Sequence, residues 1–187
     1  MKQAKHIKAA AASALLMASI MMPTSVSAAG ETQTVAVIGF DYSDSSGEPE
    51  DQAAEHAVRL ALFRKTLEAD LGRTALFATA TIPCMADGCT ISTMRADDLL
   101  QESRAAGVDF LVFGGVHKMS TLVGGGRVVV LDVPENRLVF DRVISFRGDD
   151  DEAFVRAARF SARDITRTVS AARQAAPAHP EQRRRNR

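Results

Sequence analysis

The sequence predicts one α/β domain in the order β-α-β-α-β-β-β-α, a mixed α+β arrangement in which helices pack a five-stranded mixed sheet. Three observations carry this expectation. Short apolar, β-branched runs at residues 34–40, 108–118, 127–133 and 138–146 have the length and composition of strands. Helical repeats separate the first three strands, so these can lie parallel with right-handed crossovers. The last three strands are joined by short Gly- and Pro-bearing turns, which suits an antiparallel meander.

Taken in order, Thr34 to Phe40 is the first strand, and residues 41–50 read as a polar, turn-rich segment with Ser45, Ser46, Gly47 and Pro49. Residues 51–71 repeat at helical steps through Ala57, Leu60, Phe63 or Arg64, Leu67 and Leu71, and Gly72 is a suitable stop. Residues 75–82 form a weaker second strand because of their alanines. A helix is expected over 93–106, ended by Gly107. Residues 108–118 are apolar on both faces, as a central covered strand should be. Gly124, Gly125 and Gly126 are expected to open the reversal into strand four, and Pro134 to Arg137 the next turn. On strand five, Leu138, Phe140, Ile144 and Phe146 share a face. Asp149 with Glu152 reads as a capping box for a last helix running to about Ala171, with Phe154, Ala158, Ile165 and Val169 near one stripe.

The first 28 residues give an address. Lys2, Lys5 and Lys8 precede an apolar run from Ala9 to Met22, and Val26, Ser27 and Ala28 supply small residues at a cleavage site. This predicts a secretory signal cut near Ala28/Ala29 and a periplasmic or secreted mature chain; an uncleaved anchor is the alternative. The run is shorter than the roughly 20 apolar residues of a membrane span, so no transmembrane segment remains after cleavage. No cysteine follows it to take a lipid anchor. Residues 29–171 then form the domain, and residues 172–187, with Arg183, Arg184 and Arg185, an expected disordered, solvated tail, contact with lipid head groups being the alternative.

The whole chain is neutral, but all 23 acidic residues and only 20 of the 23 basic ones follow residue 28, a balance of −3. A mildly acidic chain has no general attraction for nucleic acid or anionic lipid. Cys84 and Cys89 enclose four residues with an Asp87-Gly88 turn. In an oxidising compartment they read as a structural disulfide, with a redox-active pair as the alternative. Neither the cysteines nor the histidines have the spacing of a metal site, no calcium loop, phosphate loop or nucleophile elbow is present, and no cofactor is implied.

"VAVIGFD", "AAGVDFLVFGGV" and "VVVLDVPENRLVFDR" resemble the N-terminal domain of TolB-type envelope proteins and the related domain of curli-secretion-type lipoproteins. The resemblance spans about residues 34–171 and rests on core and turn residues, so it implies a fold rather than an activity. "GGVHKMSTLV" and "FDRVISFRGDDDEAF" further resemble a family of predicted secreted bacterial proteins without an established activity. Neither resemblance implies catalytic residues.

One candidate site follows from topology. With strands one, three and five parallel, Asp41 and Tyr42, His117 and Lys118, and Arg147 with Asp149 should converge on the carboxyl rim of the sheet, where open α/β sheets bind ligands. The competing structural readings are a Tyr42 that covers the core, a hydrogen-bonded His117, and an Arg147 paired to Asp149 or Asp150. The resulting expectation is a non-enzymatic envelope accessory domain that binds another envelope protein or itself. The alternative is a small polar or anionic ligand at the rim, and a weaker third reading is a hydrolase with His117 as base.

Overall fold

The computed structural model describes residues 32–175. The expected secretion signal and the arginine-rich end of the tail lie outside the described residues. The elements are β1 (Gln33–Asp44), α1 (Ala53–Gly72), β2 (Phe77–Thr79), a 3-10 turn (Pro83–Asp87), α2 (Ala96–Ala105), β3 (Phe110–Ser120), β4 (Val123–Asp132), β5 (Arg137–Arg147) and α3 (Asp151–Ala175). The sheet order is β2-β1-β3-β4-β5. β1 is parallel to both β2 and β3, and β3, β4 and β5 form the antiparallel meander. The expected element order and the mixed sheet are both present.

Two cores hold the sheet. On its inner face Val35, Val37, Phe40, Val112, Val116, Val130, Phe140 and Ile144 pack against α1 and α3 through Phe63, Leu67, Leu71, Phe154, Ala158, Ile165 and Val169. On the outer face Ala36, Ile38 and Leu111 pack against Ile82, Leu99, Val108 and Cys89. Burying a side chain such as Phe63 or Ile165 contributes roughly 1.5–3 kcal/mol each, which makes these residues the main source of stability.

Several local expectations are corrected. β1 continues through Asp44 rather than ending at Phe40, because Asp41 to Asp44 pair with Gly115 to Lys118 of β3. The glycine triplet lies inside β4; the reversal is at Thr121 and Leu122, with Ser120 opposite Val123. The glycines serve packing: a Cβ at Gly124 would sit 2.7 Å from the Phe146 ring, so its absence lets that ring lie across β4. Leu138 is exposed, since a register shift on β5 turns Val139 toward the core in its place. On α1 Ala57 faces solvent and His56 occupies the buried stripe. α3 extends to Ala175.

Cys84 and Cys89 are joined in a disulfide. The loop they close docks on the β1 bulge, where the Gly39 amide donates to the Cys89 carbonyl at 2.9 Å. A Cβ at Gly39 would meet that carbonyl oxygen at 2.8 Å, so glycine is required for the approach.

Candidate functional site

The parallel directions of β1, β3 and β5 do bring the predicted residues to one end of the sheet, but not to one side of it. Side chains alternate along a strand, so Asp41 and Tyr42 face opposite ways, as do His117 and Lys118. The rim set therefore splits into an inner, buried group and an outer, open one.

The inner group is an ion network under the N-termini of α1 and α3. Lys118 is 3% exposed. Its Nζ donates to Glu48, to Gln52 Oε1 at 2.6 Å and to Asp149 Oδ2 at 2.9 Å. Asp149 Oδ1 also accepts from His56 Nε2 at 2.9 Å and from an Arg59 guanidinium nitrogen at 3.1 Å. His56, 1% exposed, uses its other nitrogen to donate to the Gln52 carbonyl at 2.8 Å. Both ring nitrogens thus lie against oxygen acceptors. The Tyr42 ring stacks on His56 with centroids 4.5 Å apart.

The electrostatics follow from these contacts. Burial opposes charge on Lys118, but its hydrogen bonds to Glu48 and Asp149 outweigh that and hold its ammonium above the usual lysine value. Burial likewise opposes charge on Asp149, yet hydrogen bonds from Lys118 and His56 and the charges of His56 and Arg59 keep its carboxyl below the usual range. The Tyr42 hydroxyl, which donates to Asp44 at 3.3 Å, is pushed up to about 12 by burial and by Asp44.

Asp149 is consequently not the cap of α3. Asp150 takes that role, its Oδ1 accepting from the Ala153 amide at 2.7 Å, while Glu152 pairs with Arg156. The sequence reading missed His56, Glu48, Gln52 and Arg59. A signal for His56 existed: it lies in register with Leu60, Phe63, Leu67 and Leu71 on the core-facing stripe of α1.

The outer group lies on a face that α2 covers only in part. Here Asp41, Ser43, Gly115, His117, Met119, Gly125, Arg127, Val143 and Ser145 line a trough of about 460 Å³ that crosses β1, β3, β4 and β5. His117 sits between two hydroxyls, with Ser43 Oγ 2.8 Å from Nδ1 and Ser45 Oγ 2.9 Å from Nε2. Among the described residues no carboxylate orients its ring. Asp41 accepts from Ser92, and Arg127 forms a two-pronged pair with Asp141 at 2.7 and 2.6 Å. Arg147 is exposed and its guanidinium pairs with neither Asp149 nor Asp150. The trough floor is glycine and aliphatic carbon, suited to an apolar or mixed surface with polar groups at its edge. Among the described residues no group of three or more His, Cys, Asp or Glu is placed to hold a metal ion, and no helix is long and apolar enough to cross a membrane.

This fold, a five-stranded mixed sheet with its meander at one edge, is shared with solved structures. TolB from Acinetobacter baumannii superposes with a TM-score of 0.51 at 13% identity, over 76% of this chain and 29% of TolB. The hypothetical protein CT253 from Chlamydia trachomatis superposes at 0.50 and 12% identity, over 75% of this chain and 99% of CT253. The chain thus spans less than a third of TolB, and at these identities the likeness is one of fold. No curated protein matches the chain by sequence. The chain belongs to the family described as "Protein of unknown function (DUF2380)", which matches residues 33–165. That range contains β1 through most of α3, and so both groups of the split rim.

Proposed function

We propose that this chain is an exported, non-enzymatic accessory domain of the cell envelope that recognises another protein through β5 and the trough beside it. The observation that carries this reading is the edge position of β5, an 11-residue strand at the end of the sheet. Its outer backbone edge has no strand partner among the described residues. A long free edge is a template for strand addition, in which backbone bonds give affinity and neighbouring surface gives specificity. The trough supplies that surface: it reaches β5 at Val143, which is 82% exposed. TolB supports the envelope assignment by fold alone, and the secretory signal expected in residues 1–28 agrees with it.

A photoreactive residue at Val143, in full-length protein expressed in cells, tests the reading. One dominant crosslinked protein, or a crosslinked dimer of this chain, is expected, and Val143→Asp should abolish binding of the purified partner. Capture of nothing by an exported and folded protein would overturn it.

The trough volume also supports a second reading. At about 460 Å³ it falls in the range of small-molecule sites, with Asp41, Ser43 and His117 as its polar groups. Lys118 is no longer available to such a ligand, since its donors are spent in the inner network. That favours an uncharged or weakly polar ligand over an anionic one.

A further inference from the structure

Charge is distributed unevenly along this neutral chain. Residues 156–187 hold nine arginines against only Asp164 and Glu181, a balance of +7, whereas residues 29–155 hold 11 basic and 21 acidic residues. Such asymmetry marks a segment with its own electrostatic partner. The structure shows where it begins. Arg156, Arg159, Arg163 and Arg167 fall within one helical stripe and all four are exposed on the face of α3 that points away from the sheet. Phe160, half exposed, lies in the same stripe.

Two of the four arginines are already used. Arg156 pairs with Glu152, and Arg167 with Asp164. Arg159 and Arg163 have no acidic partner among the described residues. They sit one turn apart, on either side of Phe160. Past Ala175 the chain adds Arg183, Arg184, Arg185 and Arg187.

We propose that this stripe is a docking surface for an anionic phospholipid membrane. The chemistry of the stripe fits that occupant. The stripe lies along one 25-residue helix, on its solvent-facing side, so it presents a line of cations to a flat partner. Its cations are all guanidinium groups, whose planar forks bind phosphate oxygens in pairs where an ammonium would act as a point charge. An aromatic ring among basic groups is suited to the boundary between head group and acyl chain. Four more arginines follow Ala175 in sequence, and each basic residue near an anionic surface contributes about 1 kcal/mol. The surface lies on the opposite side of the sheet from the trough, so lipid and protein partners need not compete.

The test is co-sedimentation of the full chain lacking only residues 1–28 with two vesicle preparations, pure phosphatidylcholine and phosphatidylcholine with phosphatidylglycerol. Binding to the anionic vesicles alone is expected, weakening as salt rises. Arg159→Glu with Arg163→Glu should weaken it by at least about a hundredfold. Both sites are exposed, so the melting temperature should be unchanged, and that measurement separates lost binding from lost folding. Replacing Arg183, Arg184, Arg185 and Arg187 by glutamine should leave measurable binding. Absence of binding, equal binding to both vesicles, or binding abolished by the terminal replacements but untouched by the α3 pair would each overturn the proposal. Crosslinking at Val143 reads a different surface, so either proposal can fail without the other.

Discussion

Lys118 of β3 and Asp149 of the β5–α3 turn meet at 2.9 Å in the interior, although 30 residues lie between them in sequence. Their contact ties the central strand to the start of α3, while His56, Gln52 and Glu48 bring in α1 and the loop before it. Removing one partner leaves the others charged and desolvated. Lys118→Ala or Asp149→Ala is therefore expected to cost about 3–5 kcal/mol in urea unfolding, well above the value of an exposed pair. A loss below about 1 kcal/mol would show that the network does not hold these elements together.

The two histidines should behave differently. His56 is enclosed between Tyr42 and Asp149, so His56→Ala leaves a cavity and an under-compensated carboxylate and should cost about 2–4 kcal/mol. His117 touches two exposed serine hydroxyls, and His117→Ala should cost less than about 1 kcal/mol. Thermal melts of both variants would check the division of the rim into a structural side and a free one; equal losses would refute it.

Tyr42 offers a direct electrostatic readout, because the chain has one tyrosine and no tryptophan. Its hydroxyl is pushed up to about 12 by burial and Asp44. Ultraviolet absorbance of the folded protein should titrate near that value and shift toward about 10 in urea. A raised folded value means stability is fully present below about pH 10 and is lost as pH rises toward 12. Tyr42→Phe should remove that part of the alkaline dependence.

Asp149 has the opposite sign. Its carboxyl is held below the usual range despite burial, so its contribution is present above the unfolded aspartate value of about 4 and disappears as pH falls through the lower folded value. Stability should fall in acid below about pH 4, and Asp149→Asn, less stable at neutral pH, should show a shallower fall. An unchanged acid profile would remove Asp149 as its source.

The disulfide closes a short loop, and its loss through Cys84→Ser with Cys89→Ser is expected to cost about 2 kcal/mol. Gly39→Ala keeps the bond but pushes a Cβ against the Cys89 carbonyl, and should cost about 1–3 kcal/mol. Chemical denaturation of both variants would show whether the loop stabilises through closure, through docking on β1, or through both.

Much of the fold was legible because it is written in local periods. The stripe Phe154, Ala158, Ile165 and Val169 buries as its spacing demands, and the meander follows from short turns that allow only antiparallel neighbours. Errors arose where a distant contact overrode a local signal. The glycine triplet looks like a turn, yet the Phe146 ring on the next strand requires Gly124 inside β4, and the Gly115 carbonyl oxygen on the preceding strand leaves no room for a Cβ at Gly126. Asp149 with Glu152 has capping-box spacing, but Lys118 and His56 offer Asp149 stronger, charge-assisted partners, and Asp150 takes over the cap.

The sequence by itself determined which segments become strands and helices, which of their faces are apolar, and that three parallel strand ends bring Asp41, Tyr42, His117, Lys118 and Asp149 to one end of the sheet. Alternation along a strand was also implicit in it, and already separates Asp41 from Tyr42 and His117 from Lys118. What only the tertiary structure decided is the meaning of that separation. α1 and α3 cover one face, so Tyr42, Lys118 and Asp149 are desolvated and must satisfy one another. α2 leaves much of the other face bare, so Asp41 and His117 stay within reach of a partner. Coverage depends on how layers stack, and stacking is a sum over distant contacts that no local pattern encodes.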